Sequence, residues 1–135
     1  MDDRELLKEA AKARAFSYSP YSDFAVGAAL LAKSGKVYTG CNVENAAFTP
    51  GNCAERTAVF KAVSEGEKEF EAVAIVGGKN GTKPRSVYPC GVCRQVLCEF
   101  VDAESFRVIT GEPDGEMTAI TFDTLLPLSF GPKSL

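Results

Sequence analysis

The chain has 135 residues, 45% of them hydrophobic and 24% charged, and a formal net charge of −3. That size and composition exclude disorder and point to one domain over residues 1–135 with a core of its own. The negative balance, with Lys and Arg scattered, argues against a nucleic-acid surface, and no apolar run approaches the ~20 residues of a membrane span. Met1-Asp2-Asp3-Arg4-Glu5 begins acidic and lacks the apolar stretch of an export signal. With five cysteines, an odd count, the expected compartment is the reducing cytoplasm. Clustered cysteines there read as metal ligands or catalytic groups before disulfides.

Residues 4–17 carry Leu6, Leu7, Ala10, Ala13 and Phe16 near helical spacing, and Ser19-Pro20-Tyr21-Ser22 ends that helix. Phe24 to Ala32 and Val37 to Val43, joined at Ser34-Gly35, predict an antiparallel hairpin. Thr49-Pro50-Gly51-Asn52 turns the chain into a second helix, with Asn52 expected as its N-cap and Gly66 as its stop. Phe70 to Val76 is an apolar run of the kind buried on both faces of a sheet. Gly77 to Pro89 is expected as a loop and Cys90 to about Val101 as a helix. Strands at Arg107–Thr110 and Met117–Thr121 and a short helix near Asp123–Leu126 complete the chain. Alternation of strands and helices predicts an α/β fold, a mixed sheet of five strands with helices on both faces.

Cys53-Ala54-Glu55 and Pro89-Cys90-Gly91-Val92-Cys93 carry the chemistry. Three thiols make the ligand set of a catalytic zinc, which keeps its fourth position open, and Glu55 is placed to move protons beside it. The chain has no histidine, so every His-based zinc site is excluded. Cys53 and Cys90 fall at expected helix starts, where free N–H groups favour the thiolate, and Cys90 and Cys93 share one helix face. Three thiolates on Zn²⁺ leave a net negative charge. Arg56 is the cation expected to offset it, with Arg94 second.

Plainer readings stand beside these. Asn52 and Glu55 match a capping box. A single C-x-x-C also fits a redox pair, although Cys53 then has no role. Cys41 and Cys98 read as small buried apolar residues. Asn42 and Glu44 alternate along a strand end and read by default as a solvated edge, while Phe24, Phe48 and Phe130 read as core or interface rings.

The segments Cys53-Ala54-Glu55-Arg56-Thr57 and Pro89-Cys90-Gly91-Val92-Cys93-Arg94-Gln95 closely resemble cytidine deaminases of the small homotetrameric type. The likeness extends to Tyr21-Ser22, Phe24 to Leu30, Gly40 to Ala47 and Leu125-Leu126-Pro127, in order along nearly the whole chain. The resemblance implies a three-layer αβα sandwich. It also implies one Zn²⁺ per chain on Cys53, Cys90 and Cys93, with Glu55 shuttling a proton from activated water to departing ammonia. Cytidine and deoxycytidine would become uridine and deoxyuridine, a reaction of pyrimidine salvage. Asn42 and Glu44 match the pair that binds the sugar hydroxyl, Phe24 an aromatic on the pyrimidine, and Ala54 a backbone contact to the base. Phe130 matches an aromatic that enters a neighbouring subunit's site, so a homotetramer with composite sites is implied. Phe48 and Tyr88 depart from the family's common Tyr and Ser. Blasticidin S deaminase shares the zinc segments, but the Asn42/Glu44 pair favours the plain nucleoside.

Overall fold

The computed structural model describes residues 1–135. The first helix, α1 (Asp3–Arg14), starts one residue earlier and ends three residues sooner than the apolar spacing predicts. Its start is fixed by a capping box: Asp2 Oδ1 accepts from Glu5 N–H at 2.8 Å and Glu5 Oε2 accepts from Asp2 N–H at 3.0 Å. Its end is fixed from outside the helix. Tyr18 N–H bonds to the Asn42 carbonyl at 3.0 Å, which draws the chain away and leaves Phe16 81% exposed rather than in the core.

The expected hairpin of β1 (Phe24–Ala32) and β2 (Val37–Cys41) forms, with Gly35 at φ 93° in its turn, but β2 ends two residues short of Val43, which pairs instead with Tyr18 and Asn52. The apolar run from Phe70 becomes β3 (Phe70–Lys79), which lies between β1 and β5 (Arg107–Gly111), antiparallel to the first and parallel to the second. β6 (Met117–Thr121) closes the order β2-β1-β3-β5-β6. The sheet is thus mixed, as expected, but it has a sixth member. Residues in the expected 77–89 loop extend β3 to Lys79 and add β4 (Arg85–Ser86), which folds back onto β3. The cause is a cation distant in sequence. Arg14 donates to the carbonyls of Gly78, Lys79 and Thr82, holding the turn between β3 and β4, and to that of Ala25 on β1.

The central position of β3 explains its unbroken apolar sequence, because both faces are covered. Val73 and Ile75 pack with Ala58, Ala62 and Leu97 of α2 (Ala54–Ser64) and α3 (Gly91–Cys98). Ala72, Ala74 and Val76 pack with Leu6, Leu7 and Ala10 of α1. The result is the three-layer αβα arrangement. Three further expectations shift. The N-cap of α2 is Cys53, not Asn52, whose backbone instead pairs with Val43, so the Asn52–Glu55 capping box does not form. α3 starts at Gly91 and ends at Cys98, short of Val101, and the expected helix near 123–126 is a 3₁₀ turn at Phe122–Thr124.

Two glycines set how closely the helices lie on the sheet. A Cβ on Gly27 would fall 2.0 Å from the Ala10 carbonyl oxygen, and one on Gly40 would fall 2.6 Å from the Ala54 oxygen and 2.7 Å from Ala58 N. These are backbone atoms of regular helices and cannot step aside. Gly40→Ala is therefore expected to destabilise the fold by about 1–3 kcal/mol in urea unfolding. Gly91→Ala, with nothing within 4 Å, is expected to change little; equal effects would contradict the close-approach role.

Candidate metal and nucleoside site

α2 and α3 both begin on a cysteine that makes no side-chain capping bond. The positive dipole ends of the two helices therefore lie at these cysteines with no cap oxygen between, which favours thiolate. The two starts converge. Cys53, Cys90 and Cys93 place their Sγ atoms within 4.8 Å of one another, with Cys53 and Cys90 3.8 Å apart. Two sulfurs each about 2.3 Å from a tetrahedral zinc would stand ~3.8 Å apart, so the spacing fits that ion. The proton balance fits as well. Hydrogen bonding between Cys53 and Cys93 pulls the Cys53 thiol down and pushes Cys93 up, since one sulfur can hold charge only while the other keeps a proton. A divalent cation among them is what allows all three to ionise.

Arg56 Nη2 donates to Cys53 Sγ at 3.3 Å, and the sulfurs hold the guanidinium more firmly protonated than usual. Its Nε is the single buried side-chain nitrogen or oxygen without a partner. Arg94 does not reach the cluster; it donates to the carbonyls of Pro89 and Leu125 and ties the entry of α3 to the C-terminal segment. Glu55, in the first turn of α2, is 4% exposed. Burial pushes its carboxyl up to about 7, and the charge on Cys53 adds to that. Cys41 and Cys98 stand outside the cluster and are half-buried rather than buried.

Cys53, Cys90 and Glu55 line a cleft of about 520 Å³, and the Cys93 sulfur is buried behind its wall. Its lining includes Cys53, Ala54, Glu55 and Cys90, and also Asn42 and Glu44. Glu44 Oε1 accepts from the N–H groups of Tyr21 and Ser22 at 3.0 and 3.1 Å, and Oε2 accepts from the Ser22 hydroxyl. Those bonds, the Ser22 hydroxyl first, hold the carboxyl below its ordinary range and fix it as an anion. The pair is thus built into the cleft and is not a free strand edge. Tyr21, Ser22, Val87 and Tyr88 line the same space. The Tyr21-Ser22 segment belongs to the family likeness, but its role as the clamp on Glu44 depends on a turn folding back across sequence.

Two further residues do not line this cleft. Phe24 stands beside it: its ring faces Gly77 next to Val87, with the Arg85 guanidinium 6.0 Å from its centroid. Phe130 lies outside this chain's cleft on the C-terminal segment, 62% exposed as a residue, its carbonyl accepting from Gln95 Nε2 at 2.9 Å.

Comparison with known proteins agrees with this geometry. The family description "Cytidine and deoxycytidylate deaminase zinc-binding region" matches residues 1–109. A cytidine deaminase of Sporosarcina psychrophila is 47% identical over 135 residues, covering 100% of this chain and 96% of that one. One of Halalkalibacterium halodurans is 50% identical over 135 residues, covering 100% and 98%. The crystal structure of cytidine deaminase from Burkholderia pseudomallei superposes with a TM-score of 0.85 at 42% identity, covering 96% of this chain and 100% of that one. With three sulfurs spaced for zinc, a buried carboxyl beside them and relatives matched end to end, the chain belongs to the cytidine and deoxycytidylate deaminase family.

Proposed function

We propose that this chain is a zinc-dependent hydrolase that converts cytidine and deoxycytidine to uridine and deoxyuridine, releasing ammonia, in cytoplasmic pyrimidine salvage. One observation carries the reading. A single cleft is lined by Cys53, Cys90 and the buried carboxyl of Glu55, with the buried Cys93 sulfur within 4.8 Å of the other two, and by the fixed Asn42–Glu44 amide–carboxylate pair. Cys53, Cys90 and Cys93 would hold one zinc per chain. When bound, that ion supplies Lewis acidity and lowers the pKa of water. Three protein ligands are the number that leaves a position for chemistry.

The chain's own residues do the rest. Glu55 takes a proton at a carboxylate oxygen and returns it to the leaving nitrogen; its place in the first turn of α2, beside the sulfurs and shielded from bulk water, supports that role. Ala54, fully buried in the same turn and lining the cleft, offers backbone to the base. Phe24, next to Val87, backs the wall against which the pyrimidine would lie. Asn42 and Glu44 bind the sugar hydroxyl, with Glu44 held charged for the purpose. Arg56 offsets the excess negative charge of three thiolates on a divalent ion, through the bond it already makes to Cys53.

Phe16, Phe48 and Phe130 are 81%, 83% and 62% exposed, Phe48 at the cleft itself, and association of copies would cover such apolar residues. Phe130 is held by Gln95 at a distance from its own cleft, as a residue serving a neighbour's site would be. We include in the proposal a homotetramer with composite sites.

Glu55→Gln should retain about one zinc per chain by metal analysis and lose turnover of cytidine by a factor of about 10²–10⁴. Near-normal turnover in that variant would remove Glu55 from the chemistry. Arg56→Ala should lower zinc affinity or turnover about 10- to 100-fold in metal-competition and rate measurements; full retention of both would show that the charge offset is not needed. Sedimentation of the active preparation should give a mass of four chains. Phe130→Ala should raise KM while zinc content holds, and a one-chain mass or an unchanged KM would exclude the composite site.

A further inference from the structure

Behind the Asn42 end of the cleft runs a line of polar side chains that the proposed chemistry does not use. Asn42 Oδ1 accepts from Val26 N–H at 2.8 Å and from the Ser17 hydroxyl at 2.5 Å, while Asn42 Nδ2 donates to the Phe24 carbonyl at 2.8 Å. The backbone partners settle which way the amide faces, because an N–H must meet its oxygen and a carbonyl its nitrogen. Ser17 Oγ lies 3.2 Å from the hydroxyl of Ser19, which is 4% exposed and donates to Asn80 Oδ1 at 3.1 Å. Ser17 has one hydroxyl proton, and the Asn42 oxygen, which has none to give, takes it.

The count of donors and acceptors then restricts what Asn42 can do. Both lone pairs of its oxygen are occupied, and one of its two N–H groups is spent on Phe24. A ligand meets a donor and nothing else. Glu44, ionised beside it in the same cleft, is an acceptor and nothing else. A hydroxyl is the group that accepts from one neighbour and donates to the other at once.

We propose that Ser17 is a positioning residue for substrate: by closing the second lone pair of Asn42 Oδ1, it makes Asn42 a donor-only contact. Together with Glu44, that contact selects a sugar hydroxyl. A filled acceptor also polarises the amide and strengthens the remaining N–H. This inference rests on the nucleoside reading of the cleft. With the Ser17 hydroxyl removed, Oδ1 regains an open lone pair, so the amide is no longer confined to donating and can turn, and it loses one of three restraints on its plane.

Steady-state kinetics of the zinc-loaded wild type, Ser17→Ala and Ser17→Thr, on cytidine and on analogues lacking the 2′- or the 3′-hydroxyl, test it. Ser17→Ala should raise KM for cytidine about three- to tenfold with kcat nearly unchanged, the worth of one hydrogen bond. Ser17→Thr, which keeps the hydroxyl, should restore the wild-type KM. The effect of Ser17→Ala should vanish on the one analogue that lacks the hydroxyl meeting Asn42. An equal rise on every substrate, or a lowered thermal midpoint with KM unchanged, would make Ser17 merely structural and overturn the proposal. Absence of cytidine turnover in the zinc-loaded wild type would overturn the nucleoside reading itself, and this inference with it.

Discussion

The site depends on how closely α2 lies against β2. Gly40 lets the Ala54 carbonyl and the Ala58 N–H approach to where a side chain would otherwise stand, and Thr57 Oγ1 donates across the same contact to the Cys41 carbonyl at 3.1 Å. This seating carries the start of α2, and with it Cys53, Ala54 and Glu55, down to the end of the sheet. α3 packs on the same face of β3 as α2, its entry pinned by Arg94 to Pro89 and Leu125. Two helix starts meet, and the sulfurs they carry are brought to within 4.8 Å. A looser fit at Gly40 would separate ligands that belong to different elements, because protein interiors pass on small displacements and do not absorb them.

Electrostatics at that meeting point follows from burial. Two helix N-termini and the Arg56 guanidinium face three sulfurs, so positive charge is already concentrated before any ion is counted. Glu55 sits in the same water-poor corner but without a cation of its own as close, and burial raises it instead of lowering it. Neighbouring acidic groups are thereby pushed apart: the Cys53 thiol is made more acidic and the carboxyl less so. At the far end of the cleft, Glu44 moves the other way to Glu55, since three hydrogen bonds to its oxygens outweigh its limited burial. One cleft therefore holds two carboxyls suited to opposite tasks, one to carry a proton and one to remain charged.

Legibility in the sequence followed the range of the interactions involved. The apolar spacing of α1, the hairpin turn at Gly35 and the doubly buried run of β3 are local signals, and they correspond to what the structure contains. Ends set by distant partners were read less well. α1 stops early because Tyr18 pairs with Asn42, and β4 exists because Arg14 gathers carbonyls from three segments. Asn52 has the residue type of a cap, but its backbone is committed to Val43, and the cap falls to Cys53.

What the sequence determined by itself was the chemistry: three thiols with no histidine, a carboxylate two residues after the first, and a cation next to that carboxylate. Side-chain type and spacing suffice there, because ligand preference and acid–base character belong to the groups themselves. Tertiary structure alone decided which of several possible partners each group has. It assigned Arg56, and not Arg94, to the sulfurs; it turned Asn42 and Glu44 from a strand edge into a clamped pair; and it placed Ser17 behind Asn42. Those assignments join residues from segments separated along the chain. Only packing fixes such distances, to the few tenths of an ångström on which a hydrogen bond or a shared ion depends.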